Sequence, residues 1–239
     1  MRETDFTLIL PLYNEGIILP DNLARIFEVL GKSGFNYEVI LIDDGSQDET
    51  VRRAKEALKA RENCYLIEHR VNIGRGGTVA EGIKKAKGKV AAFIDVDLEV
   101  GPDYLPLFGR MIINQEADIV TGLRRYQKVK AISVIRFIFS RGYERLVKLF
   151  LDLPFKDTET GYKFFSREKI LPVLENVGDK GWFWDTEVMA RSQAAGLKIK
   201  EVPVDFKKNP AKKSTVKIFR DSLDYFFKLY RFSRKFKQK

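Results

Sequence analysis

Three polar clusters, each set directly behind a short apolar run, constrain this chain more than any other feature. "YNE" follows "FTLILPL", "DDGS" closes "YEVILID", and "DVD" closes "KVAAFI". Helical spacing separates the runs. Leu23, Ile26, Phe27 and Leu30 predict a helix over residues 20–31 with Gly31 as its stop. Ser46 or Asp48 can cap a second helix over about 49–61. "CYLIEH" reads as a third strand, after which the glycine-rich loop "NIGRGGT" opens a helix to about Lys87. Such alternation implies parallel strands, right-handed crossovers and a sheet covered by helices. Ligands of such sheets bind beyond the carboxyl ends of the strands. The three clusters, far apart in sequence, therefore become neighbours on one rim.

The second half is less regular. "AISVIRFIFSRGYERLVKLFLDL" has the pattern of an amphipathic helix, "GYKFFSRE" of a strand and turn, and "KIKEVPVDF" of a strand. "DTEVMARSQAAG" reads as a helix stopped by Gly196. A last helix is expected over about 214–236, with Phe219, Leu223, Phe226, Phe227 and Tyr230 on one face. The organisation expected is a catalytic domain over 1–206, including amphipathic interface helices over 129–153, and a basic tail over 207–239. Charge supports that division. Residues 207–239 hold 12 basic and 2 acidic side chains, whereas 1–206 hold 31 of each. A neutral body with a basic tail predicts an anionic partner for the tail. The one cysteine, Cys64, and the one histidine, His69, argue against a disulfide framework and a zinc site. No signal-peptide pattern opens the chain, and no apolar run approaches the ~18 residues of a membrane span.

Asp95 and Asp97, one residue apart at a strand end, suit a hard divalent cation. Mg²⁺ is usually held by one or two carboxylates and completed by water and phosphate oxygens. Two solvated aspartates capping a turn are the bland alternative. The "GRGG" stretch raises a dinucleotide site, but Val79 stands at the third glycine position and the loop follows the third strand.

"PLYNE", "IDDGSQDET", "NIGRGGT" and "DVDLE", in this order and spacing, resemble glycosyltransferase family 2. The resemblance covers nearly the whole chain and implies an α/β fold of the GT-A, nucleotide-diphospho-sugar transferase type, its mostly parallel sheet flanked by helices and followed by an amphipathic tail. "DTETGYKFFSRE" and "GWFWDTEVMARSQAAGLKIKEVPVDF" are similar to the dolichyl-phosphate (polyprenyl-phosphate) sugar synthase branch. On this resemblance Pro11, Tyr13, Glu15, Ile42 and Asp44 seat the nucleotide of the donor, GDP-mannose or UDP-glucose. Asp95 and Asp97, with Glu99 as a third carboxylate, bind Mg²⁺ or Mn²⁺ and the donor phosphates. Lys212 and Lys213 belong to a loop over the diphosphate, and Arg124, Arg136 and Ser140 hold the acceptor phosphate.

The resemblance implies inverting hexosyl transfer to a polyprenyl or dolichyl phosphate. A phosphate acceptor is already anionic. A saccharide hydroxyl, the alternative, would need a carboxylate to take its proton, for which Asp157 and Asp185 are the candidates. Expected partners are the nucleotide sugar, the lipid phosphate, an anionic membrane surface and a further membrane protein. Nucleic acid is not expected, since the tail's aromatics share one helical face instead of forming stacking platforms. The expected location is cytoplasmic and peripheral, on the inner face of the membrane.

Overall fold

The computed structural model describes residues 3–59, 61–126, 146–209 and 218–236. Its first half follows the expected alternation: β1 (Phe6–Leu12), α1 (Leu19–Ser33), β2 (Tyr37–Asp43), α2 (Thr50–Leu58), β3 (Cys64–Glu68), α3 (Arg75–Lys85) and β4 (Val90–Ile94). Then come α4 (Leu105–Ile113), β5 (Ile119–Tyr126), helical residues 146–151 (α5), β6 (Tyr162–Ser166), α6 (Arg167–Leu174), α7 (Trp184–Ala194), β7 (Ile199–Phe206) and α8 (Ile218–Phe236).

The seven strands form one sheet in the order β3-β2-β1-β4-β6-β5-β7. Among the described strands, β6 alone runs antiparallel to its neighbours. The strands are apolar almost throughout because both faces are covered. One face packs on α1 and α4 through Leu8, Leu10, Leu23, Ile26 and Phe108. The other packs on α3, α6 and α7 through Ile9, Ile83, Phe93, Val173 and Trp184. Pro11 interrupts no ladder on the β4 side, since the β1–β4 register ends at Ile9 opposite Phe93.

Three details depart from the sequence reading. Helix α1 runs through Gly31 and stops at Ser33, because Gly34 (φ 79°) supplies the left-handed residue that ends a helix. "RGGT" is the first turn of α3 and not a loop. Its glycines answer to packing: a Cβ at Gly76 would stand 2.2 Å from Trp184 Cβ, and one at Gly74 2.4 Å from the Lys180 carbonyl oxygen. The C-terminal helix has a second apolar face, not named in the sequence reading, and this is the one turned inward. Leu229, Tyr225, Phe232 and Phe236 pack on Val147, Leu151, Phe183 and Ala190, while Leu223, Phe226, Phe227 and Tyr230 are exposed. Phe219's side chain and residues 210–217 lie outside the described residues. Among the described residues no helix is long and apolar enough to cross a membrane.

Candidate active site

The loops after β1 and β2 are laced together, as the rim placement requires. The Asn14 N–H donates to Ser46 Oγ (2.8 Å), and Asn14 Oδ1 accepts from the Gln47 N–H (2.9 Å). The Glu15 N–H donates to Thr50 Oγ1 and the Gly16 N–H to Asp48 Oδ2, which places both loops in one surface. Asp48 also accepts the Thr50 N–H at 3.0 Å, close to the capping role read for it. Tyr13 stands exposed on this surface, Pro11 is half-buried, and Ile42 lies in the α3-side core.

Asp44 is buried behind that surface, and its oxygens are largely taken by the protein. Oδ1 accepts the Ile73 N–H at 2.8 Å, and Oδ2 the Gly74 N–H at 3.0 Å. His69 Nδ1 lies 3.0 Å from Oδ1, and His69 Nε2 lies 2.9 Å from Glu81 Oε2 on α3. The residue expected to face a nucleotide thus also anchors the segment that leads into α3.

The D-x-D turn sits at the end of β4. Val96 points into the core, so Asp95 and Asp97 flank a buried side chain. Arg75, on the first turn of α3, donates from Nε and Nη2 to Asp95 Oδ1 at 3.0 and 2.8 Å. Its Nη1 donates to Asp185 Oδ2 at 2.6 Å, and Lys163 Nζ, fully buried on β6, donates to Asp185 Oδ1 at 2.7 Å. Burial works against both cations. Asp95 and Asp185 outweigh it for Arg75, whose pKa is raised, but Lys163 ends below its ordinary value despite Asp185. Glu99 closes the turn: its N–H donates to Asp97 Oδ1 at 3.1 Å, and its Oε1 lies 3.4 Å from the Asn209 N–H. Asn209 Nδ2 in turn donates to the Asp97 carbonyl, so residues 207–209 lie across the D-x-D turn.

The donor set fits a divalent cation shared with a ligand. Asp95 commits one oxygen to Arg75 and is about one-third exposed, its side chain at 36%. No group of three or more His, Cys, Asp or Glu side chains forms a metal cage among the described residues. Two carboxylates completed by phosphate oxygens is the arrangement Mg²⁺ favours.

The far side of the rim is also ion-paired. Arg124, at the end of β5, forks onto Asp157 with Nε–Oδ2 2.7 Å and Nη2–Oδ1 2.8 Å. Burial would raise the Asp157 pKa, but the Arg124 charge holds it below the usual carboxylate range. The fork read as a phosphate ligand is therefore engaged with a carboxylate here. Burial pushes the neighbouring Glu159 carboxyl up to about 7, with Asp157 and Asp185 adding to the shift and Arg124 opposing it. Arg136, Ser140, Lys212 and Lys213 lie outside the described residues, as does most of 129–153.

Arg75, Lys163 and Glu159 were not singled out from the sequence. A signal was present for Lys163, a lone cation within the aromatic strand "YKFF". A lysine is rarely buried without a carboxylate beside it. Arg75 carried a weaker one, as the basic residue inside a glycine run.

A family model described as glycosyl transferase family 2 matches residues 7–171. Glycosyltransferase AglD of Haloferax volcanii is 31% identical over 222 residues, covering 92% of this chain and 35% of its own length. The dolichyl-phosphate beta-glucosyltransferase of Dictyostelium discoideum is 30% identical over 217 residues, covering 84% of this chain and 65% of its own length. The chain thus spans about a third of the first relative and just under two thirds of the second. Among solved structures, glucosyl-3-phosphoglycerate synthase from Mycobacterium tuberculosis with Mn²⁺, uridine-diphosphate-glucose and phosphoglyceric acid matches with a TM-score of 0.73. It is 16% identical, with 96% of this chain and 80% of that one covered, a likeness of fold.

Proposed function

The chain belongs to glycosyl transferase family 2, and from that premise we propose that it transfers a hexose from a nucleotide-diphospho-sugar to a polyprenyl phosphate at a membrane surface. One observation carries the choice of acceptor. Both carboxylates read as bases for a hydroxyl acceptor are held in ion pairs, Asp157 by Arg124 and Asp185 by Arg75 and Lys163. A carboxylate so paired is a poor proton acceptor. An acceptor that arrives as an anion needs none. Its phosphate oxygen attacks the anomeric carbon as the bond to the nucleoside diphosphate breaks, and the bonding pair leaves with the diphosphate. A single displacement inverts the centre, so an α-linked donor gives a β-linked lipid phosphosugar.

Asp95 and Asp97, with Glu99 beside them, would hold Mg²⁺ or Mn²⁺, which would neutralise the departing diphosphate. The protein's own residues align donor and acceptor and stabilise charge. Pro11, Tyr13, Glu15 and Asp44 are the residues proposed for the nucleotide. Arg124, Arg136 and Ser140 are proposed for the acceptor phosphate, and Lys212 and Lys213 for the donor diphosphate. A relative named for β-glucosyl transfer to dolichyl phosphate favours UDP-glucose over GDP-mannose as the donor. The exposed Leu223, Phe226, Phe227 and Tyr230 on α8, with Leu149 on α5, favour a peripheral site on an anionic membrane.

A second reading has one observation behind it. Glu159, half-buried with its carboxyl near neutrality, has the pKa of a useful general base, which favours a saccharide hydroxyl acceptor. Paired acceptors decide. The protein is incubated with labelled UDP-glucose or GDP-mannose, Mg²⁺ or Mn²⁺, and either a polyprenyl phosphate or the matching polyprenol. Label extracted with the phosphate alone is expected. Label on the alcohol or on added saccharide, with none on the phosphate, would overturn the proposal.

A further inference from the structure

His69 stands between two carboxylates, with Nδ1 3.0 Å from Asp44 Oδ1 and Nε2 2.9 Å from Glu81 Oε2. A carboxylate only accepts, and a neutral imidazole has a single N–H. A neutral ring would therefore set a lone pair against one of the two oxygens. Only the doubly protonated ring donates to both. We propose that His69 is a positioning residue, an imidazolium staple that ties the end of β2 to α3 and so sets Asp44 and Arg75 for donor binding. The inference rests on the donor reading of this rim.

The connection runs through named bonds. The His69 N–H donates to the Asp43 carbonyl at 2.9 Å, fixing the ring's own backbone to the end of β2. Asp44, held by the ring, receives the N–H groups of Ile73 and Gly74. Gly74 immediately precedes Arg75, whose guanidinium holds Asp95. Three of the four lone-pair positions of Asp44 are occupied by Ile73, Gly74 and His69, which leaves one on Oδ2 for a ligand donor. Loss of one ring proton leaves a single N–H, so the ring would keep one carboxylate and set a lone pair against the other, loosening its tie to either Asp44 or Glu81 of α3.

The charged groups that the described residues set on or next to the ring can be named. Asp44 faces Nδ1 and Glu81 faces Nε2. Lys85 approaches the other Glu81 oxygen at 3.8 Å, and Glu68, the preceding residue, is paired with Lys55 at 2.8 Å. Burial lowers the ring's pKa, but its bonds to Asp44 and Glu81 outweigh that and raise it above the ordinary histidine value. Binding that needs the proton is therefore complete at low pH and fades as pH rises through the raised value.

His69 is the only histidine in the chain, so one ring signal in the NMR spectrum of the untagged protein reports it without assignment. The titration midpoint should lie above ~6.5 and fall in Glu81→Gln. Calorimetry with UDP-glucose and GDP-mannose in Mg²⁺, from pH 6 to 9, supplies the second readout. The better donor should weaken about tenfold or more across the ring's titration, the scale of one charged hydrogen bond. His69→Asn should bind weakly at every pH, and His69→Arg, a permanent double donor, should restore affinity and remove the pH dependence. Donor affinity independent of pH while the ring titrates would overturn the staple alone. So would a ring that is neutral at pH 6. Absence of binding by either donor at every pH would overturn the donor reading and the staple with it.

Discussion

Gly161 lies directly against Asp95: a Cβ built at position 161 would stand 1.8 Å from Asp95 Oδ2 and 2.6 Å from Arg75 Nη2. The Gly161 carbonyl also accepts the Asp95 N–H at 3.0 Å. The glycine just before β6 therefore shapes the first carboxylate of the D-x-D turn. Gly161→Ala should displace Asp95 and cut transfer by at least tenfold, about 1.4 kcal/mol in barrier. Overpacking should cost only about 1–3 kcal/mol of stability. A transfer assay beside a thermal melt separates the two. Wild-type transfer in the alanine variant would show that Asp95 moves without consequence.

Asp97→Ala should remove nearly all transfer while the fold persists, the outcome expected if Asp95 and Asp97 together hold the proposed cation. Circular dichroism should be unchanged. Retention of more than about a tenth of the rate, a barrier change under 1.4 kcal/mol, would take the metal role away from Asp97.

Lys163 has no exposed surface, and Asp185 is the carboxylate it bonds. Asp185→Asn should cost about 3–5 kcal/mol in urea unfolding, since it strands the buried Lys163 and weakens the hold on Arg75. Adding Lys163→Met should recover part of that loss by removing the stranded charge. If the double variant were no more stable than the single one, the buried pair would not be what Asp185 contributes.

These residues also mark what the sequence made legible. The alternating first half was readable because each strand is a short apolar run and each strand end carries a polar cluster. β5 and α4 had no such outline. "IVTGLRRY" breaks its apolar pattern with Gly122 and two arginines, and "LPLFGRMII" carries Pro106 and Gly109 within nine helical residues. The D-x-D turn was visible as a motif. The Arg75–Asp185–Lys163 network was not, because its members come from α3, α7 and β6, and only the folded sheet brings them together. The amphipathic pattern of α8 identified a helix but not its inward face, since aromatics occur on both sides.

Glu159 gives a pH dependence whose sign is fixed. Burial pushes its folded pKa up to about 7, above the ordinary glutamate value of about 4.3, so the folded state holds the proton more tightly than the unfolded chain. Stability then falls as pH rises from about 4.3 to 7, and the penalty persists above 7. Glu159→Gln should therefore gain roughly 1–3 kcal/mol at pH 8 and nothing at pH 4. Urea midpoints at the two pH values check this. An equal effect at both would mean that the carboxyl is not held protonated. The same variant informs on the acceptor: loss of transfer to a hydroxyl with transfer to phosphate spared would give Glu159 the role of a base.

The two faces of α8 separate folding from membrane contact. Inward, Leu229 is fully buried and Tyr225, Phe232 and Phe236 pack around it, with Thr186 Oγ1 3.0 Å from the Tyr225 hydroxyl. Full burial of a side chain such as Leu229 contributes about 1.5–3 kcal/mol, and the partly buried rings add less each. Deleting residues after 213 should therefore destabilise the whole protein and lower its melting temperature by many degrees. Outward, Phe226 and Phe227 are 37% and 64% exposed, beside Arg231, Arg234 and Lys235. Phe226→Ser with Phe227→Ser should change the melt far less than the truncation, because Phe227 is mostly exposed and Phe226 meets only the edge of the packing, at the Phe150 ring 6.4 Å away. If these rings enter a lipid interface, the same variant should lose flotation with anionic liposomes. Each nearby cation adds about 1 kcal/mol at an anionic surface. High salt should weaken that part and leave the aromatic part. Undiminished flotation of the double serine variant would move the membrane contact away from α8, and a truncation that melts like the full chain would show that its inward face contributes little to the fold.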